Sequence, residues 1–254
     1  ICKHLALSGF TNLELLTALG DDLKGRAIVE FCEKLGIITD NIYVCNDTET
    51  DSYLAIEDKQ GLKAAIAHIF NVEEFGDRIL EPLENGAVKT SSNPSHNLIV
   101  LDGNLSTSSL SKIAENKKFK NYDIRIASAS SSKAFRLKPF LSLPNATVYC
   151  NMAEAENLCN LSFKDTRQAS AYLLKQGLGR AIVTNGGKQI CASSVYHEPI
   201  TISPPKVKNI KHITGAGDYF LACHIANEIN QIPKETSLLK AAESASKYVE
   251  TEIK

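Results

Sequence analysis

The chain has 254 residues, 43% of them hydrophobic, with 28 basic side chains against 29 acidic ones for a formal net charge of −1. That length suits one large domain or two small ones with a sizeable core, and the balanced charge gives no electrostatic basis for binding nucleic acid or an anionic membrane surface. No apolar run approaches the roughly 20 residues of a membrane span, and the opening residues lack the charged and apolar regions of a secretory leader.

Residues 1–8 read as the end of a helix closed by Gly9. "LELLTAL" (13–19) is an apolar run of strand length, followed by "GDDLKG" (20–25). Leu23, Ala27, Ile28, Phe31 and Leu35 recur at helical spacing until Gly36, which predicts a helix with that face inward. "IYVC" (42–45), "SYLAIE" (52–57) and "KAAIAHI" (63–69) read as strands with no helix between them, so a small antiparallel piece is expected over about 41–69. From residue 77 the pattern alternates. Helix 77–84 and the polar loop "VKTSSNPSHN" lead to strand 98–102; helix 107–117 precedes strand 124–127; helix 130–141 precedes strand 147–150. Helices 152–160 and 165–176 precede strand 180–184, two short strands follow near 188–192 and 199–203, and helices 216–230 and 235–250 close the chain. Such alternation predicts an α/β fold with a doubly wound, mainly parallel sheet. Sites in these sheets lie at the carboxyl ends of strands, which singles out the loops 102–107, 127–133, 150–155 and 213–219.

The seven cysteines are scattered, odd in number and without a C-x-x-C pair. They read as neutral thiols of a reducing, cytoplasmic setting. The six histidines show no metal-binding spacing.

"HITGAGDYFLACHIANEI" (212–229) is the most informative stretch. Tyr219, Ala222, Cys223, Ala226 and Ile229 share one helical face, which predicts a buried helix with Thr214 to Asp218 at its amino end. Unpaired N–H groups and the positive dipole end favour an anion there. Gly215 and Gly217, with only Ala216 between, would let it approach the backbone. A carboxylate beside an anion makes sense if Asp218 takes a proton from a neighbouring hydroxyl; Thr214 or Asp218 as a plain N-cap is the competing reading.

"ITGAGD" followed by a small, apolar helix resembles the carboxyl-terminal signature of the ribokinase-like (PfkB-type) sugar and nucleoside kinases. "LLTALGDDLKG" (15–25) resembles their G-x-D-x-x-G segment, "NMAE" (151–154) their N-x-x-E motif, and "VTNGGKQI" (183–190) their nucleotide-carrying turn. Within the family, "TDSYLAIEDKQGLKAAIAHI" (50–69), "LDGNLS" (101–106) and "SSSKAFRL" (130–137) are most similar to pseudouridine kinases. The resemblance implies a ribokinase-like fold with a small β-lid, and a kinase that uses ATP and Mg2+ to phosphorylate the primary hydroxyl of a nucleoside or sugar. It implies Asp218 as general base, with Gly215, Ala216 and Gly217 around the transferring phosphate. Thr184, Asn185, Gly186, Gly187 and Thr214 would line the nucleotide, and Asn151 and Glu154 would organise magnesium. Thr50, Ser52 and Tyr53 of the lid, with Asp102 and Asn104, would face the substrate. Such a lid also implies a homodimer surface.

The family's opening strand and Gly-Gly loop would lie before Ile1, so residues 1–254 are expected to be an N-terminally incomplete kinase domain lacking about 40–50 residues. A longer chain could fuse it to another enzyme. Relatives have K-P-N where Tyr149-Cys150-Asn151 stand, Asp-Pro at Ala127-Ser128, an acidic residue at His68, and Asp or Asn at His212. These departures spare the base and the anion loop, and they leave open a catalytically degenerate nucleotide-binding module.

Overall fold

The computed structural model describes residues 1–58, 61–88 and 97–251, so most of the polar loop read over 88–97 lies outside the described residues. The chain divides into two compact units, Ile1–Val88 with Pro205–Lys254, and Lys89–Pro204.

The first unit opens with α1 (Cys2–Leu7), closed by Gly9 at φ 87°. β1 (Ala18–Gly20), α2 (Leu23–Lys34) and β2 (Tyr43–Cys45) then form a β-α-β unit in which the two strands pair in parallel, Leu19 opposite Val44. This corrects the expectation that residues 42–45 belong to an antiparallel piece. The preceding helix is a crossover, and a crossover returns the chain parallel to the strand it left. The rotation of α2 is also corrected. Gly25 and Cys32 are its buried residues, whereas Leu23 is 79% and Phe31 47% exposed. Periodicity locates an apolar stripe but not the side from which a strand approaches. Here the small Gly25 lies against the strand end, where a Cβ would come within 2.3 Å of the Gly20 carbonyl.

β3 (Ser52–Asp58) and β4 (Gly61–His68) form a separate antiparallel hairpin, Ser52 opposite His68 and Leu54 opposite Ile66. This hairpin occupies the later part of the segment read as a lid, without the strand that pairs with β1. A one-turn helix, α3 (Asn71–Glu74), precedes α4 (Gly76–Asn85), whose Ile79, Leu80 and Leu83 are buried.

The second unit is built on one six-stranded sheet. β5 (Leu98–Asp102), β6 (Asp123–Ala127), β7 (Ala146–Asn151) and β8 (Arg180–Thr184) are parallel neighbours in chain order, and β9 (Ile190–Ser194) and β10 (His197–Ile202) add antiparallel. The connections are α5 (Thr107–Glu115), a 3₁₀ helix over Ser131–Phe140, and α6 (Met152–Cys159) followed by α7 (Thr166–Lys175). An α-helix was expected over 130–141; Pro139 removes one donor from any α-helical ladder there. β7 is buried from Ala146 to Cys150, as a strand covered on both faces must be. Leu110, Ile113, Leu137, Phe140, Leu158 and Leu173 complete the core with relative exposures of 1% or less. Because the strands run the same way, Asp102, Ala127, Asn151 and Thr184 all end at one edge of the sheet.

The chain returns to the first unit through α8 (Ala216–Ile229) and α9 (Lys234–Glu250), which pack together. α8 buries Phe220, Leu221, Ala222, His224, Ile225 and Ala226, which corrects the expected face: of its five residues only Ala222 and Ala226 are buried, Tyr219 and Cys223 are half-buried, and Ile229 is 47% exposed. All seven cysteines are free. Among the described residues no helix is long and apolar enough to cross a membrane.

Candidate active site

The amino end of α8 is formed by backbone, not by a side-chain cap. Its N-cap is Gly215 at φ 85°, ψ −4°, and no side chain accepts from the first turn. Neither Thr214 nor Asp218 therefore serves as the cap. The N–H of Ala216 donates to the Ile213 carbonyl at 3.0 Å, and that of Tyr219 to Gly215 at 2.9 Å. Gly217 and Asp218 thus carry the first-turn N–H groups with no hydrogen-bond partner among the described residues. The amide of Ala216, expected to face an anion, is spent inside the turn. A Cβ built on Gly217 meets nothing within 4 Å, and Asp218 is exposed. Open donors, open space and a carboxylate within one turn suit an anion bound beside a hydroxyl that gives up its proton.

The lid is anchored at its root by two aspartates that the sequence reading did not assign. Asp22, the N-cap of α2, accepts from the Gly25 N–H at 2.7 Å, from the Thr50 N–H at 2.8 Å and from the Thr50 hydroxyl at 2.7 Å. Thr50 is 2% exposed, and its hydroxyl oxygen also accepts from the Gly20 N–H at 3.1 Å. Its hydroxyl is therefore committed within the protein, whereas Ser52 and Tyr53 are exposed. Asp51 grips the other strand's exit, accepting from the N–H groups of Phe70 at 3.0 Å, Asn71 at 2.8 Å and Val72 at 3.1 Å. An acidic residue directly before a helical run is the signal that could have flagged Asp22.

Hydrogen bonds from the Gly25 and Thr50 backbone and from the Thr50 hydroxyl lower the Asp22 carboxyl from 3.8 to about 2. A depressed carboxylate contributes stability that is present above its unfolded value and lost as pH falls through its folded one. Asp22→Ala is thus expected to melt below wild type, with a full gap above about pH 4 that narrows as pH falls through about 2. Parallel thermal melts across that range would measure it; a gap independent of pH would show that the charge does not hold the lid root.

In the second unit, the two stretches that resemble pseudouridine kinases converge at the sheet edge. The Asp102 carboxylate accepts from the Asn104 N–H at 2.7 Å, which bends the loop. Lys133 donates to the Asn104 side-chain oxygen at 2.8 Å, and Arg136 to the Asn104 carbonyl at 2.8 Å. Two cations and a carboxylate thereby set Asn104; Lys133 and Arg136 were not among the expected site residues.

Asn151 and Glu154 form a closed capping box. Asn151 Oδ1 accepts from the Glu154 N–H at 3.0 Å, and Glu154 Oε2 accepts from the Asn151 N–H at 2.9 Å. The N-x-x-E spacing is thus a helix start, and it also aligns two oxygen-bearing side chains at the end of β7. Thr184 ends β8, and Asn185 to Gly187 form the tight turn into β9, with Gly186 at φ 54°. Gly187 is exposed, with nothing within 4 Å of a built Cβ.

Comparison with known proteins matches this architecture. The pattern of the pfkB family of carbohydrate kinases covers residues 1–252. The pseudouridine kinase of Escherichia coli (strain K12) is 26% identical over 230 residues, 87% of this chain and 69% of that protein. Among solved structures, the adenosine kinase of Schistosoma mansoni in complex with 2-fluoroadenosine superposes with a TM-score of 0.82 at 17% identity, covering 99% of this chain and 78% of that one. Arabidopsis thaliana ribokinase complexed with ribose and ATP gives 0.76 at 20% identity, covering 99% and 80%. The fold is ribokinase-like, and the chain belongs to the pfkB family of carbohydrate kinases, phosphotransferases with an alcohol group as acceptor.

Proposed function

We propose that the chain is an ATP- and magnesium-dependent kinase that phosphorylates the primary hydroxyl of a ribosyl compound, with pseudouridine as acceptor and pseudouridine 5'-phosphate as product. The observation that carries this reading is the amino end of α8: no side-chain cap, open N–H groups on Gly217 and Asp218, and an exposed carboxylate in the same turn. In the proposed step the acceptor oxygen bonds to the γ-phosphorus, the bond to the β–γ bridging oxygen breaks, and ADP leaves. The hydroxyl proton passes to the Asp218 carboxylate. A carboxylate is too weak a base to deprotonate a free alcohol outright, but it can accept the proton as the new bond forms in a loose transition state. The first-turn N–H groups would stabilise charge on the transferring group.

Asn151 and Glu154 fit magnesium in the chemistry of their donors, since both present the oxygen ligands that a hard cation takes. When bound, magnesium would neutralise charge on the phosphates. Thr184, Asn185, Gly186, Gly187 and Thr214 are read as nucleotide contacts. The pseudouridine assignment is supported by the relation to the Escherichia coli enzyme and by the Asp102–Asn104–Lys133 cluster, which joins two of the three stretches that resemble that subfamily. A nucleoside or sugar kinase of different specificity is the second reading, favoured by the superposition on adenosine kinase. Presenting the protein with pseudouridine, uridine, adenosine, inosine and ribose, and following ADP formation, separates them. Pseudouridine is expected to give the highest kcat/KM; a preference for adenosine or ribose would replace the substrate, and no turnover on any would sink the kinase.

We also read the lid as a homodimer surface. Tyr53, Leu54, Ile56 and Ile66 are 50%, 59%, 58% and 69% exposed on a two-stranded hairpin, which is marginal alone. Sedimentation at micromolar concentration should show a dimer; a monomer throughout would remove the interface. The free cysteines suit a reducing, cytoplasmic setting.

A further inference from the structure

We propose that Tyr248 is a positioning residue for phosphoryl transfer, acting through the backbone of the anion loop; this rests on the kinase reading above. The last turn of α9 holds the whole approach to that loop. Glu250 Oε1 accepts from the N–H of Lys208 at 2.6 Å and of Asn209 at 3.3 Å. The Val249 carbonyl accepts from Lys211 at 2.9 Å and from His212 at 3.4 Å. Tyr248 reaches the loop itself, donating its hydroxyl to the Thr214 carbonyl at 3.3 Å. Its ring stacks on Tyr219 of α8 with centroids 4.9 Å apart, and the buried His212 meets it edge-on at 4.5 Å. Consecutive residues of one helical turn thus follow the chain from 208 to 214.

The contact continues to the hinge of the loop. A Cβ on Gly215 would lie 2.8 Å from the Tyr248 hydroxyl oxygen. The φ of 85° favours glycine there, and a Cβ would in addition press on the Tyr248 hydroxyl. The open N–H groups of Gly217 and Asp218 begin two peptides after the one that this hydroxyl holds, with the Ala216 amide bonded to Ile213 between them. An anion site made of backbone donors works through their fixed aim, because donors already oriented need no rearrangement when charge develops. Tyr248 bonds the Thr214 carbonyl and packs against His212 and Tyr219, so its effect falls on the aim of the loop and not on acceptor binding.

Tyr248→Phe keeps the ring and removes only the hydroxyl. The amides of Ala216 and Tyr219, hydrogen-bonded to Ile213 and Gly215 in the turn, are expected to exchange with deuterium about 3–10-fold faster in the variant, the range for one lost neutral hydrogen bond. Exchange in the buried middle of α8 should stay as in wild type. kcat should fall by a similar factor, about 3–10-fold, while KM for the acceptor changes less than about twofold. Unchanged exchange at Ala216 and Tyr219 would overturn the proposal. So would faster exchange with an undiminished kcat, since the hydroxyl would then order the turn without serving transfer. Exchange is read on the protein alone. Absence of turnover in wild type would count against the kinase reading, while the exchange measurement would still decide the Tyr248 contact.

Discussion

Asp218→Asn is expected to lower turnover by about 10²–10⁴-fold, the usual cost of losing a general base, while the protein stays folded and binds ATP. Asn has nearly the same shape, and the Asp218 side chain caps nothing in the turn it occupies. What folding loses is the attraction between a carboxylate and a helix amino end, about 0.3–1 kcal/mol. If Asp218 were only a favourable first-turn residue, the same variant would keep a near-normal rate. Steady-state turnover beside a melting curve and a nucleotide titration distinguishes the outcomes.

Gly217→Val should produce the opposite division between binding and stability at the neighbouring residue. A Cβ there meets nothing within 4 Å, so the protein has room for the side chain. In a helix, valine is no worse than glycine, which is about 0.8–1.0 kcal/mol less favourable than alanine. The melting temperature should hold or rise slightly. The branched side chain nevertheless fills the space through which a phosphate would reach the N–H groups, and displacing a reacting group by about 1 Å can cost about 10²-fold. kcat/KM for ATP is expected to fall by about that factor, with direct ATP binding weakened in parallel. Normal ATP affinity in a stable Gly217→Val variant would mean that no anion approaches this backbone.

Local signals made the loops legible. β8 spans the residues read as a strand, and α8 and α9 begin within a residue of their expected starts. Apolar runs, glycines and turn residues act within a few positions of one another, and these regions obey them. The failures were of partnership. Residues 42–45 are a strand, but no local pattern states that Tyr43–Cys45 pairs with Ala18–Gly20 and not with the lid. The stripe on α2 is helical, yet Gly25 and Cys32 face inward because the strand end and the Asp22 hydrogen bonds fix the rotation. Thr50 illustrates the same limit within the site. Its place in a lid segment suggested a substrate contact, but its partner is Asp22, 28 residues earlier. Nothing in the sequence of α9 marks Tyr248 as a partner of the anion loop, because its hydrogen bond to Thr214 joins positions 34 residues apart.

Transfer of labelled γ-phosphate from ATP to pseudouridine in a single turnover, with the product's position resolved by NMR, tests the central claim most directly. Wild type is expected to give one labelled product, with the phosphate on the primary hydroxyl of the ribose. ATP that binds and remains intact, or that releases its label as free phosphate whichever nucleoside or sugar is supplied, would contradict the claim.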